Sequence, residues 1–474
     1  MSKSGAAGIA AADRPRMSRK AVVALVFLVL ITVFLNADMN LLYPNAVFIE
    51  KDLGINDAQL GAVSSAFIII GAAVTLIWGY LTDFASRKKL LLFTVLLGEI
   101  PCFMTSFSQT YGQLYFWRSL TGLGIGGIIP ITYSLLSDYF SPSERGLANT
   151  WINMVTGLGV VLGMLAAGFI GPVYGWRLPF ILAAVPNFVL VPLFYFFVKE
   201  PRRGEAEPEL RALLRGETAG AGAGGRTGAG GRSAEVNHLR PNYLAMARVK
   251  TNILSFIQGI PGSVPWGVLT FAIPIYFVRE RGFSVQAATM MMMVFGAGVL
   301  AGGFAGGLIG TKLYNIRRSL MPIFLGVVVY VGMFMAYGVV AYPARAGMSF
   351  AEMLGPVILA FLTGFVAAMV GPNPKTILMN VNLPENRGSI SSIFNLTDSI
   401  GNGAGPFLGG LLSVRFGMTR ALYIAISFWA LCGFWWFFVA RTEPRDEEAV
   451  RRNMRERAER MGAGPANTAP SARG

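Results

Sequence analysis

The chain has 474 residues, 54% hydrophobic and only 14% charged, with a formal net charge of +15. An ordinary soluble domain carries about 25% charged residues, so this balance excludes a water-soluble globule and makes lipid the natural solvent for most of the surface. One histidine, His238, and two cysteines without metal-like or redox spacing, Cys102 and Cys432, leave no metal centre and no Ser/His/Asp catalysis to expect.

Residues 1–19 read as a polar, basic tail ending in Arg14, Arg16 and Arg19. The apolar run that follows Lys20 continues too far for a cleavable signal, and no small-residue cleavage site closes it. A bilayer core needs roughly 20 apolar residues per helix. By that rule twelve segments qualify: 20–47, 57–81, 90–107, 111–138, 145–171, 177–198, 251–278, 285–310, 319–342, 353–379, 387–414 and 418–440. Between the sixth and seventh, residues 199–250 are polar, and Gly216 to Gly231 is almost all Gly, Ala, Thr and Arg. Such a stretch buries too little surface to order itself and reads as a flexible linker between two six-helix halves, 20–198 and 251–441. A tail, 442–474, closes the chain, with a polar surface helix expected over 443–461. Basic residues concentrate in the two tails, the 87–89 turn, the linker and the 312–318 turn, which are alternate connections. That asymmetry predicts a multi-pass cell-membrane protein with both termini cytoplasmic, and it argues against nucleic acid as the partner of the positive charge.

The halves repeat one another. Pro142-Ser-Glu144-Arg145-Gly146 follows the fourth segment and Pro384-Glu385-Asn-Arg387-Gly388 the tenth, 242 residues later. Gly175 and Gly417, after the fifth and eleventh, are also 242 apart. Between the second and third segments lies the charged turn Gly79-Tyr-Leu-Thr-Asp83-Phe-Ala-Ser-Arg87-Lys88-Lys89; its counterpart after the eighth, Gly307 to Lys312, carries Thr311 in place of the acid. The pattern Gly-x-x-x-Asp-x-x-x-Arg-Lys resembles the loop between helices 2 and 3 of the major facilitator superfamily. With the parallel repeat, it implies an all-α membrane protein of twelve transmembrane helices, with a substrate site between the halves. Asn36-Ala-Asp38-Met-Asn40, the run Lys199-Glu200-Pro201-Arg202-Arg203-Gly204-Glu205, and Arg118-x-x-x-Gly122-x-Gly124-x-Gly126 are similar to the Spinster-like branch. Met39 stands where that branch has an arginine, and Gly126-Gly127 where it has a glutamate.

A charge at bilayer depth costs about 2.5–3.5 kcal/mol by insertion scales and needs a partner or a wet cavity. Asp38 and Arg118 are expected to face each other across the first-half cavity and to couple transport to protons. Asn36, Asn40, Tyr43 and Tyr133 from the first half, with Gln258, Trp266, Lys375, Asn395, Asp398 and Asn402 from the second, are the expected cavity residues. Positions 395, 398, 399 and 402 share one helical face. Prolines in Gly371-Pro372-Asn373-Pro374 and in Pro261 to Pro265 are expected to interrupt the tenth and seventh segments. Glu99, on a peripheral helix, is expected to snorkel or pair locally. The resemblance makes Gly79, Asp83, Arg87, Lys88, Arg145 and Arg387 a cytoplasmic gate.

Gly122-x-Gly124-x-Gly126 has no strand before it and no Lys-Ser/Thr after it, so no nucleotide site is expected. No cofactor and no enzymatic activity are expected either. The reading is a monomeric secondary transporter of a small amphiphilic or organic solute, working by alternating access with protons in the lipid bilayer. A multidrug or organic-anion carrier and a non-transporting receptor stay open as alternatives.

Overall fold

The structure, a computed structural model, describes residues 19–201 and 243–460. The Gly-rich part of the expected linker, His238 and both chain ends lie outside the described residues. The first half comprises α1 (Arg19–Met39), α2 (Leu42–Leu53), α3 (Asp57–Phe84), α4 (Arg87–Thr105), α5 (Tyr111–Ile125) and α6 (Ile128–Tyr139). Next, α7 (Pro142–Leu165) runs through a π turn (Ala166–Ile170) into α8 (Gly171–Tyr174), and α9 (Arg177–Phe197) closes the half. The second half follows the short α10 (Tyr243–Arg248) with α11 (Lys250–Arg279), α12 (Val285–Ile316), α13 (Leu320–Ala341), α14 (Phe350–Ala368), α15 (Asn373–Asn380), α16 (Arg387–Phe416) and α17 (Met418–Arg460).

Ten of these helical segments are long and apolar enough to cross a membrane. The other two of the twelve, α4 and α16, fall short because α4 opens with Arg87, Lys88 and Lys89, and α16 is rich in Ser, Asn and Gly. Helix starts sit at water-boundary caps: Asn56 and Gln59 cap α3 reciprocally, as Ser349 and Glu352 cap α14. Both described ends of the chain lie at one membrane face, called here the terminal face; the other is the far face.

Three breaks position the chemistry. The first segment parts at Asn40-Leu41, where Pro44 cannot donate to the carbonyl of residue 40. Asn40 and Leu41 instead donate to the carbonyls of Ala37 and Asp38, three residues back. The fourth parts at Gly126-Gly127, and side chains of α3 take up carbonyls there: Thr75 donates to Gly126 (2.9 Å) and Trp78 to Leu123 (2.8 Å). The tenth parts between α14 and α15, at the proline-rich turn. The seventh does not part: α11 stays continuous through Pro261, Pro265 and Pro274, contrary to the expectation. Nor is the tail helix separate, since α17 runs unbroken through Pro444 to Arg460. Its polar end is held on the second half, where Asp446 accepts from the Thr251 amide at 2.9 Å and Glu447 from the Tyr314 hydroxyl at 2.6 Å.

The repeat appears as repeated geometry. Gly175 and Gly417 both take positive φ, 89° and 83°, a conformation that favours glycine. Arg145 donates to the carbonyl of Ser137, and Arg387 to that of Met379, each eight residues before it. The halves meet mainly along α3 and α16, and α11 packs between α16 and α17. One apolar cluster joins the halves toward the far face, with Leu41, Ile49 and Leu60 meeting Val268, Phe271 and Ile275.

Candidate functional site

Inside the first half, the Arg118 guanidinium donates to Asp38 at 2.6 Å, and each residue is 1% exposed. The rings of Phe67 and Phe180 lie 4.5 and 5.5 Å from the guanidinium carbon, so the cation is held between aromatic faces. Gly163 is required beside it, because a Cβ there would collide with the Ala37 backbone where α7 presses on α1. The sequence reading placed this pair across a cavity; the structure brings it together but seals it within the bundle. Of the two expectations for Glu99, snorkelling fails and pairing with a neighbour holds. Glu99 is fully buried, accepts from the Asn187 amide at 2.5 Å, and feels the charges of both Asp38 and Arg118. Asn187, a lone amide midway along α9, was not singled out in the sequence.

A second cluster joins the halves at the far face and was also missed. From the first half, Glu50 and Asp57 both accept from Arg279 at the end of α11, Asp57 at 2.7 Å. Ser413, on α16, donates to Asp57 at 2.5 Å. Gly410 lets α16 approach closely, since a Cβ there would strike the Asp57 carbonyl. Burial, then the hydrogen bond and charge of Asp57, push the Glu50 carboxyl up to about 9 against the opposing pull of Arg279. Two acids share one cation here. Charges at segment ends are ordinary in a membrane protein, so nothing in the sequence marked these.

Toward the terminal face, α16 presents a polar wall. Asn395, Asp398 and Asn402 are exposed on one side of the helix. Leu396, Ile400, Phe407, Leu411 and Val414 are exposed on roughly the opposite side, by the 100° advance per residue. Between these arcs α16 packs on α11 through Gly401 and Gly405 and on α3 through Gly403 and Gly410. The apolar arc suits lipid and the polar arc suits water. Lys375, exposed on α15, is the cation whose field reaches Asp398. Asn36, Asn40 and Tyr43 are half-buried near the α1/α2 break, and Tyr133 is exposed on α6. Gln258 departs from expectation: it is buried, donates to the Ser255 carbonyl and accepts from the Cys432 thiol, so it braces α11 against α17. Trp266 is half-buried between Phe295 and Trp429.

At the terminal face, Arg87 is buried and pairs with Asp138 and Glu200, while Lys88 lies over the Tyr195 ring at 4.8 Å. These contacts brace the first half. Gly79 has open space around its Cα, and the side chain of Asp83 lies outside the described residues. Arg387 lines a cavity of about 410 Å³ between α15, α16 and α17, away from the polar wall.

The family model of the Major Facilitator Superfamily matches residues 28–355 and 346–470. Synaptic vesicle glycoprotein 2A of Rattus norvegicus is 35% identical over 130 residues, which are 27% of this chain and 17% of that protein. Multidrug resistance protein MdtG of Yersinia enterocolitica is 25% identical over 413 residues, covering 84% of this chain and 89% of the relative. The crystal structure of a bacterial homolog to the human lysosomal transporter Spinster, in an inward-facing and occupied conformation, superposes with a TM-score of 0.72. It covers 90% of this chain and 98% of that one at 17% identity, a likeness of fold.

Proposed function

The chain belongs to the major facilitator superfamily, and on that premise we propose that it moves a small amphiphilic or organic solute by proton-coupled alternating access. The observation that carries this reading is the buried Asp38–Arg118 pair, set directly before the α1/α2 break. Intramembrane charges mark function by default. A carboxylate that loses its cation when a helix hinges becomes a proton acceptor, because burial then favours its neutral form. Proton affinity thereby differs between the two states of the carrier, which is what coupling requires.

The polar wall of α16 supports the site's placement between the halves. It offers an acid and two amides with Lys375 at its edge. Those groups suit a solute with a charged or polar head, and the Spinster-like motifs suggest an apolar body for it. The exposed lysine gives the organic-anion alternative its own support. The basic residues at the terminal face support a cytoplasmic assignment for it, and the turn at Gly79 to Lys88 is then the cytoplasmic gate, with Arg145 and Arg387 bracing the adjoining turns. The far-face cluster closes the other gate, so the arrangement corresponds to a carrier open toward the cytoplasm. Protein reconstituted in liposomes should exchange one class within a panel of lysolipids, sphingoid bases, hydrophobic cations and organic anions. No specific counterflow for any of them would favour a receptor that does not turn over.

A further inference from the structure

The group that the Asp38–Arg118 pair leaves unexplained is Glu99. Three ionisable side chains meet inside the first half: two acids, Asp38 and Glu99, and one base, Arg118. The base is committed to Asp38 at 2.6 Å. Among the described residues Glu99 has only the neutral amide of Asn187, which spends its two N–H groups on Glu99 Oε1 and on the Ile31 carbonyl. What remains is two buried acceptors, Glu99 Oε2 and Asn187 Oδ1, without a donor among the described residues, against one buried donor without an acceptor, Nε of the arginine already paired with Asp38. An ionised carboxylate so placed would be an uncompensated charge in the membrane interior, the most unfavourable form it could take. One proton on Glu99 supplies the missing donor and brings the cluster to zero net charge.

We propose that Glu99 holds a proton in this state of the protein and is the residue that exchanges it through Asp38. The inference rests on the proton-coupled reading above and deepens it. Asp38 is paired with Arg118 in this state. If the α1/α2 hinge draws the two apart, the O–H bond of Glu99 breaks and one forms on the Asp38 carboxylate. The Glu99 charge left behind is then the one Arg118 can neutralise. One proton moves, and no other reactant is needed. The Cys102 thiol and the Tyr43 hydroxyl lie within the same electrostatic neighbourhood and are the other titratable groups facing it.

Infrared spectroscopy of the full-length protein in lipid decides the resting protonation without any substrate. The difference spectrum between wild type and Glu99→Gln at neutral pH should show the carbonyl stretch of a protonated carboxylic acid lost in the variant. Glu99→Asp should restore such a band at a shifted frequency. Loss of carboxylate bands alone would overturn the proposal. In liposomes, Glu99→Gln should abolish the response of flux to an imposed pH gradient while exchange without a gradient persists. A wild type that responds together with a Glu99→Gln that responds equally would overturn the exchange role. A wild type that ignores the gradient would overturn the proton-coupled reading itself, and with it the exchange, leaving the spectrum to decide where the proton rests.

Discussion

Two clusters in this molecule have the same composition and opposite placement. Asp38, Glu99 and Arg118 lie within one half; Glu50, Asp57 and Arg279 lie across both. Each sets two acids against one arginine. In the first, Arg118 is sealed between aromatic rings, whereas Arg279 is 43% exposed at its side chain. A charge cluster inside one half does not hold the halves together, which fits the role proposed for it of storing and passing a proton. A cluster between halves must break if the far face opens, which fits the latch proposed for it. Placement, rather than chemistry, separates coupling from gating.

The comparison breaks most visibly if the arginines are exchanged for neutral residues. Arg118→Leu strands the buried Asp38, and removing one partner of a buried pair costs about 3–5 kcal/mol. Thermal unfolding in detergent should record that loss; a variant as stable as wild type would mean the pair is not sealed. Arg279→Gln should cost less than Arg118→Leu, because the Arg279 side chain is partly exposed and its charge is screened by water. Its effect is on conformation: spin labels at Lys51 and Arg420, both exposed at the far face, should move to longer separations. Unchanged separations would remove the latch from the account.

The pH dependence sharpens the contrast. With the latch closed Glu50 titrates at about 9, above the ordinary glutamate value it regains when the latch opens to water. A raised value in the closed state means that protonation favours closure below about 9, and that this support is lost as pH rises through it. The same labelled pair should therefore separate at alkaline pH in wild type, and Glu50→Gln should flatten that response. The smallest expected effect is at Arg177, which pairs with Asp52 at 2.6 Å wholly within the first half, both side chains being exposed. Arg177→Gln should leave label separations unchanged and stability altered by only about a few tenths of a kcal/mol.

How far each cluster was legible in the sequence follows from the same placement. Asp38 and Arg118 stand in apolar runs, where a charge is conspicuous, so their pairing could be expected. Glu99 stands out as clearly, but its partner is an amide on another helix, and only the fold brings Asn187 to it. Glu50, Asp57 and Arg279 sit at helix ends, where charges are unremarkable and pairing across 222 or more residues leaves no local pattern. The break after Met39 had a signal in Pro44 that a length rule ignores. The prolines of α11 carried the same signal without the same result, since α11 continues as one helix through all three. The wall of α16 was readable from periodicity alone, as 395, 398 and 402 fall on one face whatever packs around them.

The central claim is that coupling resides in the buried cluster of the first half. The direct test is flux of the solute class identified in liposomes, measured with and without an imposed pH gradient, in wild type and Asp38→Asn. Gradient-driven accumulation should vanish in the variant while it stays folded and still exchanges solute downhill. An Asp38→Asn protein that accumulates solute as wild type does would contradict the account.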